Sequence, residues 1–447
     1  MLKEKIVLSL KILIYYIMKN KKFDNKNLFI LFVISAQTLL LSNLISLYTL
    51  TQYKASKFNK TLRSKELVGP FFRPHDTPGV GYDMGAPSVG YHFFGDLTEL
   101  MFYAKNVSQT INYFDLNIQY PTSTLLFLKI FQDVEIKNLL FFLFLFSLVL
   151  ITYGIKNYDL SVNKPLFVFT FIVLSRPFLF SVDRGNLEFV VFSLIFSGLA
   201  MHKANKKLSI VLFIFAICLK PSAGLMLIFL KLPSLLSVIL GFLVIQLSSY
   251  LYLRINPLDG FLHYLSNLSS FSQTYPYPID VDISNLSFWT LLNNIRHSDL
   301  FLLNPIGVFL QGLINNGNLV AVISVVLYFL LIKFLKVDIY DSHIYFAGYI
   351  AITVMLREFT GYYAAIYFVI PLVLLFRKHK LDFANLIFGI FVFITMQPIQ
   401  IFISKNYLMQ YENLQTLYRF SSSFNVLIVF LICGSLILFD INKSLKN

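Results

Sequence analysis

The stretch LLFFLFLFSLVLITYGI, residues 139–155, decides the fold class of this chain. It contains no charged residue and has the minimum length, about 17 residues, with which an α-helix crosses the hydrocarbon core of a bilayer. Apolar stretches of similar character also lie at residues 28–50, 165–180, 187–202, 235–253, 319–335, 344–356, 361–376, 385–403 and 425–439. Apolar stretches that alternate with short basic segments are typical of a polytopic α-helical membrane protein.

The composition also points to lipid as the solvent. The 447 residues are 57% hydrophobic and 13% charged, whereas a soluble domain is about 45–50% apolar and about 25% charged. The net charge of +14 lies mainly between the apolar stretches, which favours an orienting role at a membrane over nucleic-acid binding. Both cysteines lie inside apolar stretches, so we predict neither a disulfide framework nor a metal cluster.

Lysine placement predicts the topology. Residues 1–27 carry seven lysines, so we expect this segment to be cytoplasmic. Alternation then places one long loop, residues 51–137, outside, and a second at residues 254–300. The basic segments alternate correctly only if residues 208–230 cross twice, as two short helices that meet at Lys220-Pro221, because proline breaks a helix.

These expectations define one architecture. The sequence predicts an all-α polytopic membrane protein with about 12 spans, in the range of about 10–13. Residues 28–447 form one transmembrane domain, and both termini are cytoplasmic. The end of the first outer loop, residues 96–131, has helical apolar spacing, which predicts amphipathic helices that lie on the membrane.

Four polar clusters fall on the predicted outer face. They contain Asp96 and Glu99; Arg176, Arg184, Asn186 and Glu188; Lys220; and Arg357, Glu358 and Tyr362. A charged side chain at membrane depth costs about 2.5–3.5 kcal/mol on insertion scales, so such residues usually face a cavity or a partner. The position of all four clusters on one side predicts a shared polar cavity.

The residue types in these clusters suit one kind of chemistry. Asp96 could act as a general base that takes a proton from a hydroxyl group. Four cations could bind a phosphate group, namely Arg176, Arg184, Lys220 and Arg357. A base beside a phosphate site suits glycosyl transfer from a lipid phosphate, because the leaving phosphate gains charge in the transition state. Asn186 and Glu188 would orient these groups or contact sugar hydroxyls. Glu99, Glu358 and Tyr362 are further candidates for substrate binding.

Purely structural roles remain open for the same residues. Asp96 could cap a helix, with Glu99 at the capping-box position. Arg184 could pair with Asp183 in a loop, and Lys220 could extend to the membrane interface. Arg357 and Glu358 could pair with each other. No cofactor is implied, and the histidines lack metal-ligand spacing, so a divalent metal is possible but not indicated.

The order of short motifs resembles a known family. Phe94-Gly95-Asp96-Leu97 is followed by Tyr120-Pro121, Arg184-Gly185-Asn186, Lys220-Pro221 and Asn285-Leu286-Ser287. This series is similar to the GT-C superfamily of membrane glycosyltransferases, and most similar to glycosyltransferase family 87, which uses polyprenyl-phosphate mannose. The resemblance implies that Tyr120 and Asn285 contact substrate. Thr122 stands where the family has a second proline, and the late family motif is replaced around Tyr362, so the donor sugar stays open.

We therefore predict an inverting glycosyltransferase of a bacterial cytoplasmic membrane. Its partners would be a polyprenyl-phosphate sugar donor, a glycan or glycolipid acceptor and the lipid bilayer, with no nucleic acid. A polysaccharide polymerase or O-antigen ligase remains an alternative, although its longest loop usually lies late in the chain. A transporter or flippase is a further alternative, although the sequence lacks the internal repeat typical of that class.

Overall fold

The computed structural model describes residues 95–107, 120–158, 164–227 and 230–274, with single positions at 114, 330, 366, 367, 369, 370 and 373. Every regular element among these residues is helical, which confirms the predicted all-α class for this part of the chain. In order, the helices are α1 Gly95–Asn106, α2 Thr122–Lys129, α3 Ile136–Asn157, α4 Lys164–Val173, α5 Arg176–Arg184, α6 Glu188–Met201, α7 Lys206–Leu219, a 3₁₀ helix Pro221–Leu227, α8 Leu232–Tyr252 and α9 Pro257–Thr274.

Helix α6 is the centre of the bundle. All of its residues are buried, as expected for a helix that is apolar on every side. It packs between α3 and α7, and glycines allow both contacts. A Cβ atom added at Gly154 of α3 would lie 2.8 Å from the Phe196 ring, and one added at Gly198 would lie 2.5 Å from the Phe213 ring.

Helices α3 and α8 are long and apolar enough to cross a membrane, by length and composition. The sequence predicted membrane spans at residues 139–155, 187–202 and 235–253, and a helix occupies each of these stretches, as α3, α6 and α8. Helix α6 has 14 residues and is shorter than the two candidate spans, so a crossing by α6 stays a prediction. At about 1.5 Å per residue, α3 is about 33 Å long. Both long helices expose large apolar side chains, such as Val149 (67% exposed) and Leu240 (61% exposed).

The predicted single span at residues 165–180 is wrong in detail. Two helices occupy this stretch, because α4 ends at Val173 and α5 begins at Arg176. Pro177 lies in the first turn of α5. In a continuous helix it could not donate to the carbonyl of residue 173, and its ring would clash there. The chain therefore bends at Ser175, whose backbone is extended.

The predicted break at Lys220-Pro221 is confirmed, but the second piece is not the α-helix that the sequence suggested. Lys220 is extended (φ −152°, ψ 99°), and the next element is the 3₁₀ helix of seven residues. At about 2.0 Å per residue it spans about 14 Å, well short of the roughly 30 Å hydrocarbon core. A double crossing within residues 208–230, and with it the count of about 12 spans, stays a prediction.

The two predicted outer loops contain helices that pack on the bundle. Within residues 96–131, α1 and α2 bury Leu97 and Leu125 completely. The sequence analysis did not predict α9, which lies in the segment assigned to the second loop; Pro257 and Asp259 in its first turn favour a helix start. Apart from single positions, the spans predicted at residues 28–50, 319–335, 344–356, 361–376, 385–403 and 425–439 lie outside the described residues.

Candidate functional site

The turn between α5 and α6 shapes the candidate site. Gly185 adopts the left-handed conformation (φ 65°, ψ 23°), which costs glycine little because it has no Cβ atom. The Gly185 amide donates to the Val182 carbonyl, and the Asn186 amide donates to the Ser181 carbonyl, each at 2.9 Å. This pair of bonds is a Schellman motif, which ends α5 and turns the chain sharply into α6.

The buried Ser181 side chain holds both sides of that turn. Its hydroxyl donates to the Asn186 carbonyl at 2.9 Å and accepts from the Phe189 amide at 3.1 Å. The Asn186 side-chain Oδ1 accepts from the Glu188 amide at 3.1 Å, which satisfies a free donor at the start of α6. These bonds fix the positions from which Arg184, Asn186 and Glu188 project.

Asp96, in the first turn of α1, meets this turn from across the fold. Arg184 Nη2 lies 2.9 Å from Asp96 Oδ1, and Arg184 Nε lies 3.3 Å from Oδ1 and 3.2 Å from Oδ2. Asn186 Nδ2 donates to Asp96 Oδ2 at 2.7 Å. Three N–H groups make these four contacts, because the single Nε hydrogen is shared between Oδ1 and Oδ2, and a carboxylate offers about four lone-pair positions. Both charged side chains remain slightly exposed, at 12% and 13%.

A second ion pair lies on the other side of Asn186. Lys220, just after α7, pairs with Glu188 at the start of α6. Lys220 Nζ also lies 3.4 Å from Asn186 Oδ1. Asn186 is therefore the bridge, because its amide donates to the Asp96 carboxylate while its carbonyl oxygen faces the Lys220 ammonium. Its side chain links two ion pairs, and the partners within each pair lie far apart in sequence.

The charges of this cluster compensate each other. Removing a charge from water costs several kcal/mol unless a partner and further hydrogen bonds replace the water. Glu188 is the most buried of the four, with 4% of its side chain exposed, and Lys220 is 14% exposed. Asp96, Arg184 and Lys220 thus each keep 12–14% of their side chains exposed to solvent, whereas Glu188 is almost fully buried.

The structure brings five of the predicted site residues together: Asp96, Arg184, Asn186, Glu188 and Lys220. One of the alternative roles is wrong, because Lys220 pairs with Glu188 instead of extending to the membrane interface. Asp96 lies in the first turn of α1, which begins at Gly95, and a capping role for it stays a prediction. Arg184 is the last residue of α5 and pairs with Asp96; the side chain of Asp183 lies outside the described part, so a pair between Arg184 and Asp183 also stays a prediction.

Apart from Tyr120, the side chains of the remaining predicted site residues lie outside the described part of the chain. Tyr120 is partly buried against the apolar core before α2. Glu99 lies on α1 and Arg176 opens α5, and the side chains of both lie outside the described part. Asn285, Arg357, Glu358 and Tyr362 lie outside the described residues altogether. Among the residues that the structure describes, no group of three His, Cys, Asp or Glu side chains could hold a metal.

The sequence analysis missed several polar residues that support the site. Ser181 supports the turn, and Ser123, Thr124 and Gln246 form a second buried polar group beside the end of α7. Gln246 could have been noticed, because it is the only amide in the apolar stretch of α8. A lone serine such as Ser181 carries no comparable signal.

Comparison with known protein families, curated proteins and solved structures yields no match to the chain.

Proposed function

We propose that this protein is an inverting membrane glycosyltransferase that uses a polyprenyl-phosphate sugar as donor. A glycan or glycolipid would be the acceptor, at the outer face of a bacterial cytoplasmic membrane. The proposal includes a polytopic domain of about 12 spans with both termini in the cytoplasm. The two long apolar helices and the Phe-rich composition support the membrane setting.

One observation carries the proposal, namely the contact between Asp96 and Arg184. The proposed reaction requires a base and phosphate-binding cations in one place. Asp96 and Arg184 lie 88 residues apart in sequence. Their side chains are in direct contact, and Lys220 reaches the same cluster through Asn186. A carboxylate, a guanidinium and an ammonium within one partly exposed cluster supply each group that the proposed reaction needs.

The proposed reaction begins with an exchange of partners. A donor phosphate offers Arg184 a second anion with the same two-oxygen geometry as the Asp96 carboxylate. When Arg184 turns to the phosphate, lone pairs on Asp96 become available to a hydroxyl group. The ion pair thus stores the base in its charged form until the donor arrives.

Sugar transfer then follows on the exposed side of the cluster. The acceptor hydroxyl oxygen attacks the anomeric carbon opposite the phosphate, and Asp96 takes the hydroxyl proton. The bond between the anomeric carbon and the phosphate oxygen breaks, and the electron pair leaves with the phosphate. Arg184 and Lys220 stabilise the negative charge that grows on that oxygen.

The test is a transfer assay with the purified full chain in lipid nanodiscs. A panel of radiolabelled polyprenyl-phosphate sugars serves as donors, and membrane lipid extract serves as acceptor. We expect one donor to label a product, and Asp96→Asn to abolish labelling while the unfolding temperature stays within a few degrees of wild type. Glu135→Gln, which removes an exposed carboxylate from α3's start, is the matched control and should keep activity.

Two outcomes would overturn this proposal. Near-normal transfer by Asp96→Asn would remove Asp96 as the base. Absence of transfer from every donor, together with movement of a labelled polyprenyl phosphate across vesicles that contain the protein, would instead favour a flippase. Vesicles without protein control for leakage.

A further inference from the structure

The end of α7 leaves backbone oxygens that need partners. An α-helix leaves its last four carbonyls without partners inside the helix, and Pro221 has no N–H to offer them. The Lys220 amide donates to the Ala216 carbonyl at 2.9 Å. The carbonyls of Cys218 and Leu219 lie closest to Lys220, and the Leu219 carbonyl belongs to the peptide bond that leads into it.

Two hydroxyl groups at the start of α2 bind these carbonyls. Thr124 Oγ1 donates toward the Cys218 carbonyl at 2.8 Å and lies 3.1 Å from the Leu219 carbonyl. Ser123 Oγ donates to the Cys218 carbonyl at 2.8 Å. Both side chains are buried, with Thr124 at 0% exposure. Helix α2 therefore caps α7 across 94 and 95 residues of chain.

Gln246 of α8 completes the arrangement. Its side-chain Nε2 donates to Ser123 Oγ. Since a serine hydroxyl has a single proton, an incoming bond at the oxygen favours that proton pointing onward to the Cys218 carbonyl. Gln246 is buried and is the only amide side chain in the largely apolar helix α8, and a polar side chain in such a setting usually serves a specific partner.

We infer that Ser123, Thr124 and Gln246 are positioning residues that hold Lys220 against Glu188 and Asn186. Lys220 lies outside any α-helix, so its own helix cannot fix its direction. The fixed Leu219 carbonyl sets the peptide plane from which the Lys220 side chain departs. The positioning itself rests only on these contacts, whereas its catalytic consequence rests on the proposed function.

A general role in holding α2 and α7 together is the competing explanation. Interhelical hydrogen bonds in membrane proteins contribute about 0.6 kcal/mol on average, so their loss could lower stability without moving Lys220. The two roles differ in one measurable property. Only positioning predicts that the Lys220 amine changes its accessibility while the bundle stays folded.

The experiment measures how fast acetic anhydride acylates Lys220 in the detergent-solubilised full chain. Mass spectrometry compares Lys220 with Lys231, which is exposed and serves as the internal standard. We expect Thr124→Val to raise the relative rate roughly three- to tenfold, as the loss of one or two interhelical bonds would allow. Thr124→Ser keeps the hydroxyl and should restore the wild-type rate.

Matched variants control for the loss of a hydroxyl elsewhere. Thr152 and Ser147 of α3 donate to carbonyls of their own helix, those of Leu148 and Leu143, so Thr152→Val and Ser147→Ala should leave Lys220 unchanged. Ser123→Ala and Gln246→Leu should each raise the relative rate in the same direction as Thr124→Val. Equal Lys220 rates in wild type and in folded Thr124→Val would overturn the inference, as would equal rates in Thr124→Val and Thr152→Val.

Transfer kinetics separate this inference from the proposed function. If both hold, Thr124→Val should raise KM for the polyprenyl-phosphate donor severalfold and change kcat less, because Lys220 would meet the donor phosphate in the wrong place. A changed Lys220 rate in a protein that transfers no sugar would leave the positioning intact and reject the function. Normal transfer by Thr124→Val with an unchanged acylation rate of Lys220 would support the function and reject the positioning.

Discussion

Arg184 and Asp96 form a two-point ion pair in which Arg184 Nη2 lies 2.9 Å from Oδ1 and Nε lies 3.2 Å from Oδ2. The Nε–Nη2 edge of the guanidinium contacts the carboxylate as it would contact a phosphate. Before any donor binds, the group expected to hold the phosphate is thus held by the group expected to act as base. The first two predictions follow from this shared use of Arg184.

Asp96→Asn should bind polyprenyl phosphate more tightly than wild type. The substitution removes the anion that competes for Arg184, and a charge-assisted hydrogen bond contributes about 1.5–3 kcal/mol, so we expect roughly a tenfold lower Kd. Equilibrium binding of a fluorescent polyprenyl phosphate in nanodiscs measures this. Glu135→Gln removes an equal charge from an exposed pair with Lys137 and should leave the Kd unchanged. An equal or weaker affinity in Asp96→Asn would contradict the competition.

Arg184→Lys should lose most transfer activity although the charge is kept. A lysine ammonium cannot make the two parallel contacts of a guanidinium, and removing one preorganised donor to a developing anion typically costs about 10²–10³ in kcat. Steady-state kinetics with the preferred donor check this. Arg254→Lys, at the exposed end of α8, is the matched control. Retention of more than about a third of wild-type kcat would argue against direct phosphate contact by Arg184.

The Glu188–Lys220 pair should show strong coupling in a double-mutant cycle. Lys220→Met leaves Glu188 buried without its cation, at a cost of about 3–5 kcal/mol. Glu188→Met should cost less, because Lys220 is 14% exposed against 4% for Glu188 and can turn toward water. The double variant should recover most of the loss. Reversible unfolding in mixed micelles gives the free energies, and additive effects of the two single substitutions would contradict direct pairing.

Gly185→Ala should destabilise the protein and impair the site. Gly185 has φ 65°, and a residue with a Cβ atom pays about 1–2 kcal/mol for a left-handed conformation. Relaxation of that strain would turn Arg184 and Asn186 away from Asp96. Gly224→Ala is the matched control, because its added Cβ would meet Ile217 at an ordinary 3.4 Å. Thermal unfolding and transfer activity measure both variants, and equal behaviour of the two would contradict the role of the turn.

The sequence predicts those parts of the fold that depend on interactions between residues close together in the chain. The apolar stretches at residues 139–155 and 235–253 predict helices, because few other structures can accommodate so long an apolar run. The split of residues 165–180 follows from Pro177, a local feature that hydropathy alone hides. The helix Pro257–Thr274 was missed because its four serines and its asparagine are typical of a loop, although its apolar side chains recur at helical spacing.

The site required information that lies beyond any local pattern. Charges in apolar surroundings marked Asp96, Arg184 and Lys220 as candidates, because an uncompensated charge there is costly. Their pairing was not predictable, since Arg184 has an acidic neighbour in sequence, Asp183, whereas Asp96, with which it pairs, lies 88 residues away. The role of Ser181 was not predictable either, because the sequence does not distinguish a serine that stabilises a turn from one that only fills space in a helix.

The antiparallel arrangement of α6 and α7 has a consequence for biogenesis. Glu188 opens the first of these helices and Lys220 follows the second, so the two charges meet at the same end of a helical hairpin. A hairpin that carries its own counter-ion has no net charge at that end. Under the proposed membrane topology, α6 and α7 would enter the bilayer together, because either helix alone would carry an unpaired charge.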